Sequence, residues 1–196
     1  MPSLVGDWLV EATVPGGGTY TGTISARAAG ETVELAWDTT AGRYFGIGLE
    51  EEGAWYVACG EDGDGLGLAL IGRRGGLRWS PAPQRGTVGV SRLASAPAPS
   101  GGPGWEAGPA AAAGFPFRSL ILEGGGEVRT AALAGGPVAR ALVLPTAAGW
   151  AVAWYPRFEQ TVLLRYLPGR EPGTWVALWA LGGRPEPAVE LLRPAV

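Results

Sequence analysis

The sequence contains no histidine, no lysine and no asparagine, so all 15 of its cationic side chains are arginines. Without histidine, the Ser-His-Asp and Cys-His catalytic arrangements are excluded, together with histidine-based zinc and iron sites. Without lysine, the chain cannot form a P-loop or a Schiff base. Several common nucleophilic, phosphate-binding and metal chemistries are therefore removed before any motif is considered.

Sulfur and amides are also scarce. The single cysteine excludes an internal disulfide and any site made of several cysteines. Cys59 follows Trp55 and Val57 at a period of two, so we expect a buried, inert thiol on their strand face. The shortage of asparagine, glutamine, cysteine and methionine also fits a thermophilic source.

Charge and apolar runs limit the partners. The net charge is −3 and the arginines are scattered, which argues against a nucleic-acid partner. The glycines at 63, 65 and 67 lack dinucleotide-binding spacing, so we expect no cofactor.

The apolar run 141–156 is too short to span a membrane, and the N-terminus lacks the features of a signal peptide. We expect a cytoplasmic protein, the alternative being a secreted one whose signal peptide is missing.

Short segments of alternating apolar and polar residues run through nearly the whole chain, separated by glycine-rich turns. This pattern predicts an all-β fold, either a barrel or a sandwich, with lipocalin or avidin architecture as the nearest analogy. The predicted strands cover 8–14, 20–26, 33–37, 43–49, 55–59, 66–70, 77–79, 88–92, 115–123, 127–133, 138–144, 150–155, 161–167, 174–181 and 188–192.

The two ends of the chain can be aligned with each other at offsets of 95 to 97 residues, as in 20–24 with 117–121 and 55–58 with 150–153. We therefore predict a first β repeat over 1–93 and a second over 115–196. Residues 94–114, rich in Ala, Pro and Gly, are predicted to be a linker or a crossover, in which four alanines permit one helical turn at 109–114.

The first repeat contains a series of short motifs: Tyr-x-Gly at 20–22, Leu-x-Trp at 35–37, Tyr-x-Gly-x-Gly at 44–48 and Leu-x-Trp at 77–79. In these motifs it resembles tandem-repeat β-barrel proteins of unknown function from bacteria. The resemblance covers roughly 6–93 and only faintly 115–193, where the Tyr-x-Gly-x-Gly segment is missing. It implies a β-barrel and transfers no active site.

Acidic side chains are the main candidates for metal binding or catalysis. Asp62 and Asp64 lie in a glycine-containing turn that offers a weak Ca²⁺ candidate, although a polar hairpin is the favoured interpretation. Glu34, Asp38, Glu159 and Glu190 lie near strands, and two of them could meet as the carboxyl pair of a hydrolase. We expect no other metal site.

Aromatic side chains are the second resource, because nine tryptophans either fill a core or line a barrel mouth. An inward arginine would have to be paired and would mark a site. The candidate ligand-binding residues are Trp37, Tyr44, Trp55, Arg78, Trp154, Arg165 and Trp179.

Three functions remain open at this point. The first is noncatalytic binding of a small apolar or aromatic molecule inside a barrel. The second is a structural or protein-interaction module that forms a homodimer through exposed strands. The third is a carboxylate-dependent hydrolase.

Overall fold

The computed structural model describes residues 3–82, 86–97, 103–107, 114–184 and 186–195. Within these ranges the chain forms strands and one short 3₁₀ helix, η1 (Phe158–Gln160), and no α-helix. The strands are β1 (Gly6–Thr13), β2 (Thr19–Ala29), β3 (Thr32–Thr39), β4 (Gly42–Glu51), β5 (Ala54–Gly60), β6 (Gly67–Gly72), β7 (Gly76–Pro81), β8 (Gly89–Arg92), β9 (Ala94–Pro97), β10 (Pro103–Glu106), β11 (Ser119–Glu123), β12 (Arg129–Ala134), β13 (Arg140–Pro145), β14 (Gly149–Trp154), β15 (Val162–Pro168), β16 (Trp175–Leu181) and β17 (Ala188–Pro194).

The strands form two antiparallel sheets, which confirms the predicted all-β fold, and of the two predicted architectures the structure has the barrel. One sheet is a closed eight-stranded barrel, here barrel A, in the order β1-β17-β16-β15-β5-β4-β3-β2. The other, here sheet B, has nine strands in the order β8-β7-β6-β14-β13-β12-β11-β10-β9. Sheet B is nearly closed, because only Leu93 separates β8 from β9 and these two strands are the ends of the sheet.

Neither predicted repeat forms a sheet by itself. Residues 1–93 contribute β1–β5 to barrel A and β6–β8 to sheet B, while 115–196 contribute β11–β14 to sheet B and β15–β17 to barrel A. Sheet B read from β10 through β11–β14 and β6–β7 to β8 has the same order as barrel A read from β1 through β2–β5 and β15–β16 to β17. Each sheet is therefore completed by strands from the other end of the chain.

The segment predicted as a linker contains two short strands, β9 and β10, which pair with each other. Trp105 on β10 is buried inside sheet B, so its indole anchors this segment to the fold. Pro97 is the last residue of the edge strand β9 and Pro103 is the first residue of β10, and both positions tolerate a missing backbone N–H. The predicted helical turn at 109–114 lies outside the described residues except for Gly114.

Three apolar clusters hold the molecule together. The first fills part of the interior of barrel A, the second fills the interior of sheet B, and the third lies between the two sheets. The cluster between the sheets uses the opposite strand faces, for example Ile47 and Leu49 on β4 against Leu68 and Leu70 on β6. These strands are therefore apolar on both faces, as expected of strands covered on both sides.

Candidate functional site

The interior of barrel A contains a cavity of about 270 Å³. This volume is close to the lower end of the range for small-molecule sites, so the cavity suits a compact ligand. Most of its wall is apolar or aromatic, and its polar groups are few. The lining residues are Val14, Tyr20, Trp37, Ala41, Tyr44, Cys59, Glu61, Glu159, Gln160, Val162, Leu164, Trp179, Leu181 and Glu190.

A buried carboxyl group, Glu190 on β17, belongs to this lining and is fully enclosed. The hydroxyl of Tyr20 donates to its Oε2 and that of Tyr166 donates to its Oε1. The side chain of Trp37 donates a further hydrogen bond. The carboxyl group thus satisfies much of its acceptor capacity without water, as a buried polar group requires.

The strand register explains how these side chains meet. Ala12 on β1 lies opposite both Tyr20 on β2 and Glu190 on β17. Ala177 on β16 lies opposite both Glu190 and Tyr166 on β15. Large side chains therefore alternate with alanines across five neighbouring strands, and each hydroxyl reaches the carboxyl group over a methyl group.

Burial controls the protonation of this cluster. Desolvation raises the pKa of Glu190, and the hydrogen bonds from Tyr166, Tyr20 and Trp37 oppose this effect only in part. Burial and the neighbouring Glu190 also raise the pKa of Tyr20 and of Tyr166. Both phenols therefore keep their protons at neutral pH and remain hydrogen-bond donors to the carboxyl group.

Close approach of a tryptophan to a glycine shapes the aromatic wall. A Cβ atom at Gly46 on β4 would lie 2.7 Å from Cζ3 of Trp37, on the neighbouring strand β3. A Cβ atom at Gly48 would lie 2.6 Å from Cγ1 of Val33. The Gly-x-Gly part of the motif at 44–48 therefore makes room for side chains inside the barrel.

Acidic and amide side chains form the mouth of the cavity. Glu61 follows β5, and Glu159 and Gln160 belong to η1. Nε2 of Gln160 donates to Oε1 of Glu61 at 3.0 Å, and the guanidinium of Arg157 lies 3.0 Å from Oε2 of the same carboxylate. The mouth thus combines negative charge with acceptor oxygens.

Three of the seven predicted ligand-binding residues line the cavity: Trp37, Tyr44 and Trp179. Trp55 is half-buried against the core of barrel A without lining the cavity. Arg78 on β7 donates to the carbonyl of Glu50 at 3.0 Å, and Arg165 lies 2.9 Å from Glu127. Neither arginine lines this cavity.

Trp154 lies in the interior of sheet B rather than in barrel A. Its ring makes edge-to-face contacts with Phe117 at 5.1 Å and Phe115 at 6.1 Å between ring centroids, and Phe115 contacts Trp79 at 5.8 Å. These rings pack against one another inside the sheet. Trp154 therefore has a packing role, and the sequence pattern alone did not distinguish it from Trp179.

The predicted calcium candidates are engaged in the turn. Oδ1 of Asp62 accepts from the backbone N–H of Asp64 at 3.1 Å and from the Tyr155 hydroxyl at 2.8 Å, and Arg157 lies 3.7 Å from its other oxygen. No group of three potential metal ligands occurs in the described part of the chain.

Of the four carboxyl groups considered for hydrolysis, Glu159 and Glu190 line the same cavity. Asp38 lies 3.3 Å from Arg43 on the exposed side of β3, and Glu34 on the same strand is not part of the lining.

Two important cavity residues, Tyr20 and Gln160, were not predicted as site residues, and Glu190 was considered only as one carboxylate among several. The alternation of Ala188, Glu190 and Leu192 could have indicated the buried carboxyl group, because Glu190 occupies a position at which the strand otherwise places apolar side chains inward. Cys59 also lines the cavity. Its thiol is buried and burial raises its pKa, which keeps it protonated.

Among the described residues, no helix is long and apolar enough to cross a membrane. Comparisons with protein-family models, with curated proteins and with solved structures find no match to this chain. The resemblance to bacterial tandem-repeat proteins consequently stays a prediction, and the site has to be interpreted from its own geometry.

Proposed function

We propose that the protein is a noncatalytic binding protein that takes a small apolar or aromatic molecule into barrel A. The observation that supports this most directly is the cavity itself, whose wall includes Trp37, Tyr44 and Trp179. Such a combination of apolar wall and few polar groups is typical of ligand sites. The cytoplasmic location, the thermophilic source and the internal duplication remain predictions beside it.

Native mass spectrometry of protein purified gently from its source organism tests this proposal. We expect a reproducible additional mass of a small organic compound. The matched control is Ala41→Trp, which places a bulky ring at an exposed position of the cavity lining without changing the core. Loss of the additional mass in this variant supports the proposal, whereas an equal additional mass in both proteins contradicts binding in barrel A.

The hydrolase alternative has less support. Both oxygens of Glu190 accept hydrogen bonds from tyrosine hydroxyls, and the side chain is fully enclosed. A nucleophilic or general-base carboxylate needs access to the substrate. Glu159 is accessible but would have to act without Glu190.

A second candidate function, a homodimeric interaction module, is favoured by exposed aliphatic residues on the outside of barrel A. Leu167 lies opposite Val176, and Leu178 lies opposite Val189, on the adjacent strands β15, β16 and β17. Leu167, Val176 and Val189 are exposed. Adjacent apolar side chains on a surface are typical of interaction sites.

Sedimentation velocity at high protein concentration tests this second candidate. We expect a dimer for the natural sequence and a monomer for Val189→Glu, which introduces a charge into the patch. Glu171→Gln, at an exposed position outside this patch, is the control and should not change the sedimentation coefficient. A natural protein that stays monomeric contradicts the dimer.

A further inference from the structure

Most of the polar groups around the cavity already donate their hydrogen bonds to other groups of the protein. The Tyr44 hydroxyl donates to the carbonyl of Ala41 at 2.8 Å, and the Tyr20 hydroxyl donates to Glu190. A phenol has one proton and two lone pairs, so these oxygens are left as acceptors for a ligand. A ligand that fills the cavity would therefore meet hydroxyl oxygens that cannot donate to it.

The mouth adds stronger acceptors. Because Nε2 of Gln160 donates to Glu61, the amide orientation is fixed and Oε1 is left as a buried oxygen without a hydrogen-bond partner. A buried unpaired acceptor costs free energy until a donor reaches it. Within the described ranges, no hydrogen bond or ion pair engages the carboxylate of Glu159, which is exposed at the same mouth.

The charges around the cavity are of one sign. Glu61 and Glu159 place exposed carboxylates in the lining, and no arginine belongs to it. Arg157, which lies beside the mouth, is already held by Glu61 at 3.0 Å and by the Tyr155 hydroxyl at 2.9 Å. The negative charges would repel an anionic ligand and attract a cationic ligand.

The aromatic wall suits the same class of ligand. Trp37, Tyr44, Trp179 and Tyr20 line the cavity, and the faces of aromatic rings attract organic cations. Among the described lining residues, Trp179 has a buried indole N–H without a hydrogen-bond partner. This N–H can donate to one acceptor atom of a ligand. The other polar groups of the ligand would have to be donors.

We propose that the ligand of barrel A is a small organic cation, an ammonium group on a compact aromatic or apolar body. The ammonium group lies at the mouth, against the Glu159 carboxylate and Oε1 of Gln160, and the body lies against the rings of Trp37 and Trp179. This inference rests on the proposed binding function and adds the charge class of the ligand to it.

Isothermal titration calorimetry with three probes of matched size tests the inference. The probes are 2-phenylethylamine, 2-phenylethanol and 3-phenylpropionate, which present a cation, a neutral hydroxyl and an anion on the same ring. We expect the amine to bind at least about tenfold more tightly than the alcohol, equivalent to about 1.4 kcal/mol. The carboxylate should bind most weakly.

Two variants locate the effect. Glu159→Gln removes the free charge at the mouth and should weaken amine binding by about two- to fivefold, as expected for an exposed charge pair, without changing alcohol binding. Glu171→Gln, an exposed glutamate outside the lining, is the matched control and should change neither affinity. Ala41→Trp should abolish binding of every probe.

The outcomes separate the two proposals. If the alcohol or the carboxylate binds as tightly as the amine, and Ala41→Trp abolishes that binding, the cation inference is overturned while the binding function stands. If amine binding is unchanged in Glu159→Gln, the placement of the ammonium group is overturned. If no probe binds, or all bind equally to Ala41→Trp, both the inference and the proposed function are contradicted.

Discussion

At the scale of single residues, Glu190 is the unusual feature of the molecule. It is a carboxyl group enclosed in an apolar barrel, with two tyrosine hydroxyls as hydrogen-bond donors and no cation in contact. Ionising such a group is costly because the charge loses the solvation of water. Its protonation should therefore influence stability over an accessible range of pH.

Glu190→Gln tests this influence through the pH dependence of stability. Below the ordinary carboxyl pKa, Glu190 is protonated in the folded and the unfolded chain. As pH rises, the unfolded chain loses this proton first because the fold raises the pKa of Glu190, so the free energy of unfolding falls. The natural protein should lose about 1.4 kcal/mol relative to Glu190→Gln for each unit of that shift.

Urea unfolding between pH 4.5 and pH 8 measures the difference. The neighbouring Tyr20, Tyr166 and Cys59 all have a raised pKa and stay neutral over this range, so they add no slope. The free energy of unfolding of Glu171→Gln should vary with pH in the same way as that of the natural protein. A difference between Glu190→Gln and the natural protein that does not vary with pH would contradict the expected titration.

Tyr166→Phe tests the hydrogen bond itself. It removes a donor to a buried carboxyl group and should lower the free energy of unfolding by about 1–3 kcal/mol, the cost of leaving a buried acceptor without its partner. Tyr44→Phe is the matched control, because it removes a hydroxyl whose partner is a carbonyl in an exposed turn. Equal losses measured by urea unfolding would show that the Glu190 cluster contributes nothing special.

At the scale of the strands, room inside barrel A depends on glycine positions that face large side chains. One such position is Gly46 on β4, because the ring of Trp37 on the adjacent strand β3 occupies the space that a Cβ atom there would take. Substitutions at such positions act by overpacking rather than by changing strand propensity.

Gly46→Ala tests this packing. The new methyl group would lie 2.7 Å from Trp37, so we expect a loss of about 1–3 kcal/mol in the free energy of unfolding. Weaker binding in the cavity should accompany it, because Trp37 lines the wall. Gly76→Ala is the control, since nothing lies within 4 Å of its added Cβ atom, and denaturant unfolding should show a change within about 0.5 kcal/mol.

At the scale of the whole molecule, strands from both ends of the chain build both sheets. Barrel A closes only when β15–β17 reach β5 and β1, and sheet B forms only when β6 reaches β14. The third apolar cluster then joins the outer faces of the two sheets. The two sheets are thus linked by chain connectivity and by packing.

This arrangement predicts a single cooperative unfolding transition. Tryptophans occur in both sheets, as Trp37 in barrel A and Trp154 in sheet B. Tryptophan fluorescence and far-ultraviolet circular dichroism should consequently follow one urea transition with one midpoint. Two separated midpoints, or hydrogen exchange that protects one sheet after the other has opened, would contradict the prediction.

Most of the local structure was predictable. All fifteen predicted strands are present, because alternation reports directly on which residues face a core. β9 and β10 were missed because their segment is dominated by proline, alanine and glycine, and only their pairing and the burial of Trp105 make them strands. Of the predicted ligand-binding residues, Trp37, Tyr44 and Trp179 line the cavity, whereas Arg78, Trp154 and Arg165 lie elsewhere. Their role in binding a ligand stays a prediction.

By itself, the sequence determined the all-β class, the positions of most strands and the excluded chemistries, since these depend on residue types and on a period of two. Only the tertiary structure decided which strands become neighbours. Tyr20 and Glu190 are 170 residues apart, and they meet because β17 and β2 both flank β1. The alternation of apolar and polar residues indicates which face of a strand a side chain occupies, but not which distant strand completes the barrel. The cavity and its buried carboxyl group are therefore determined by the pairing of the strands.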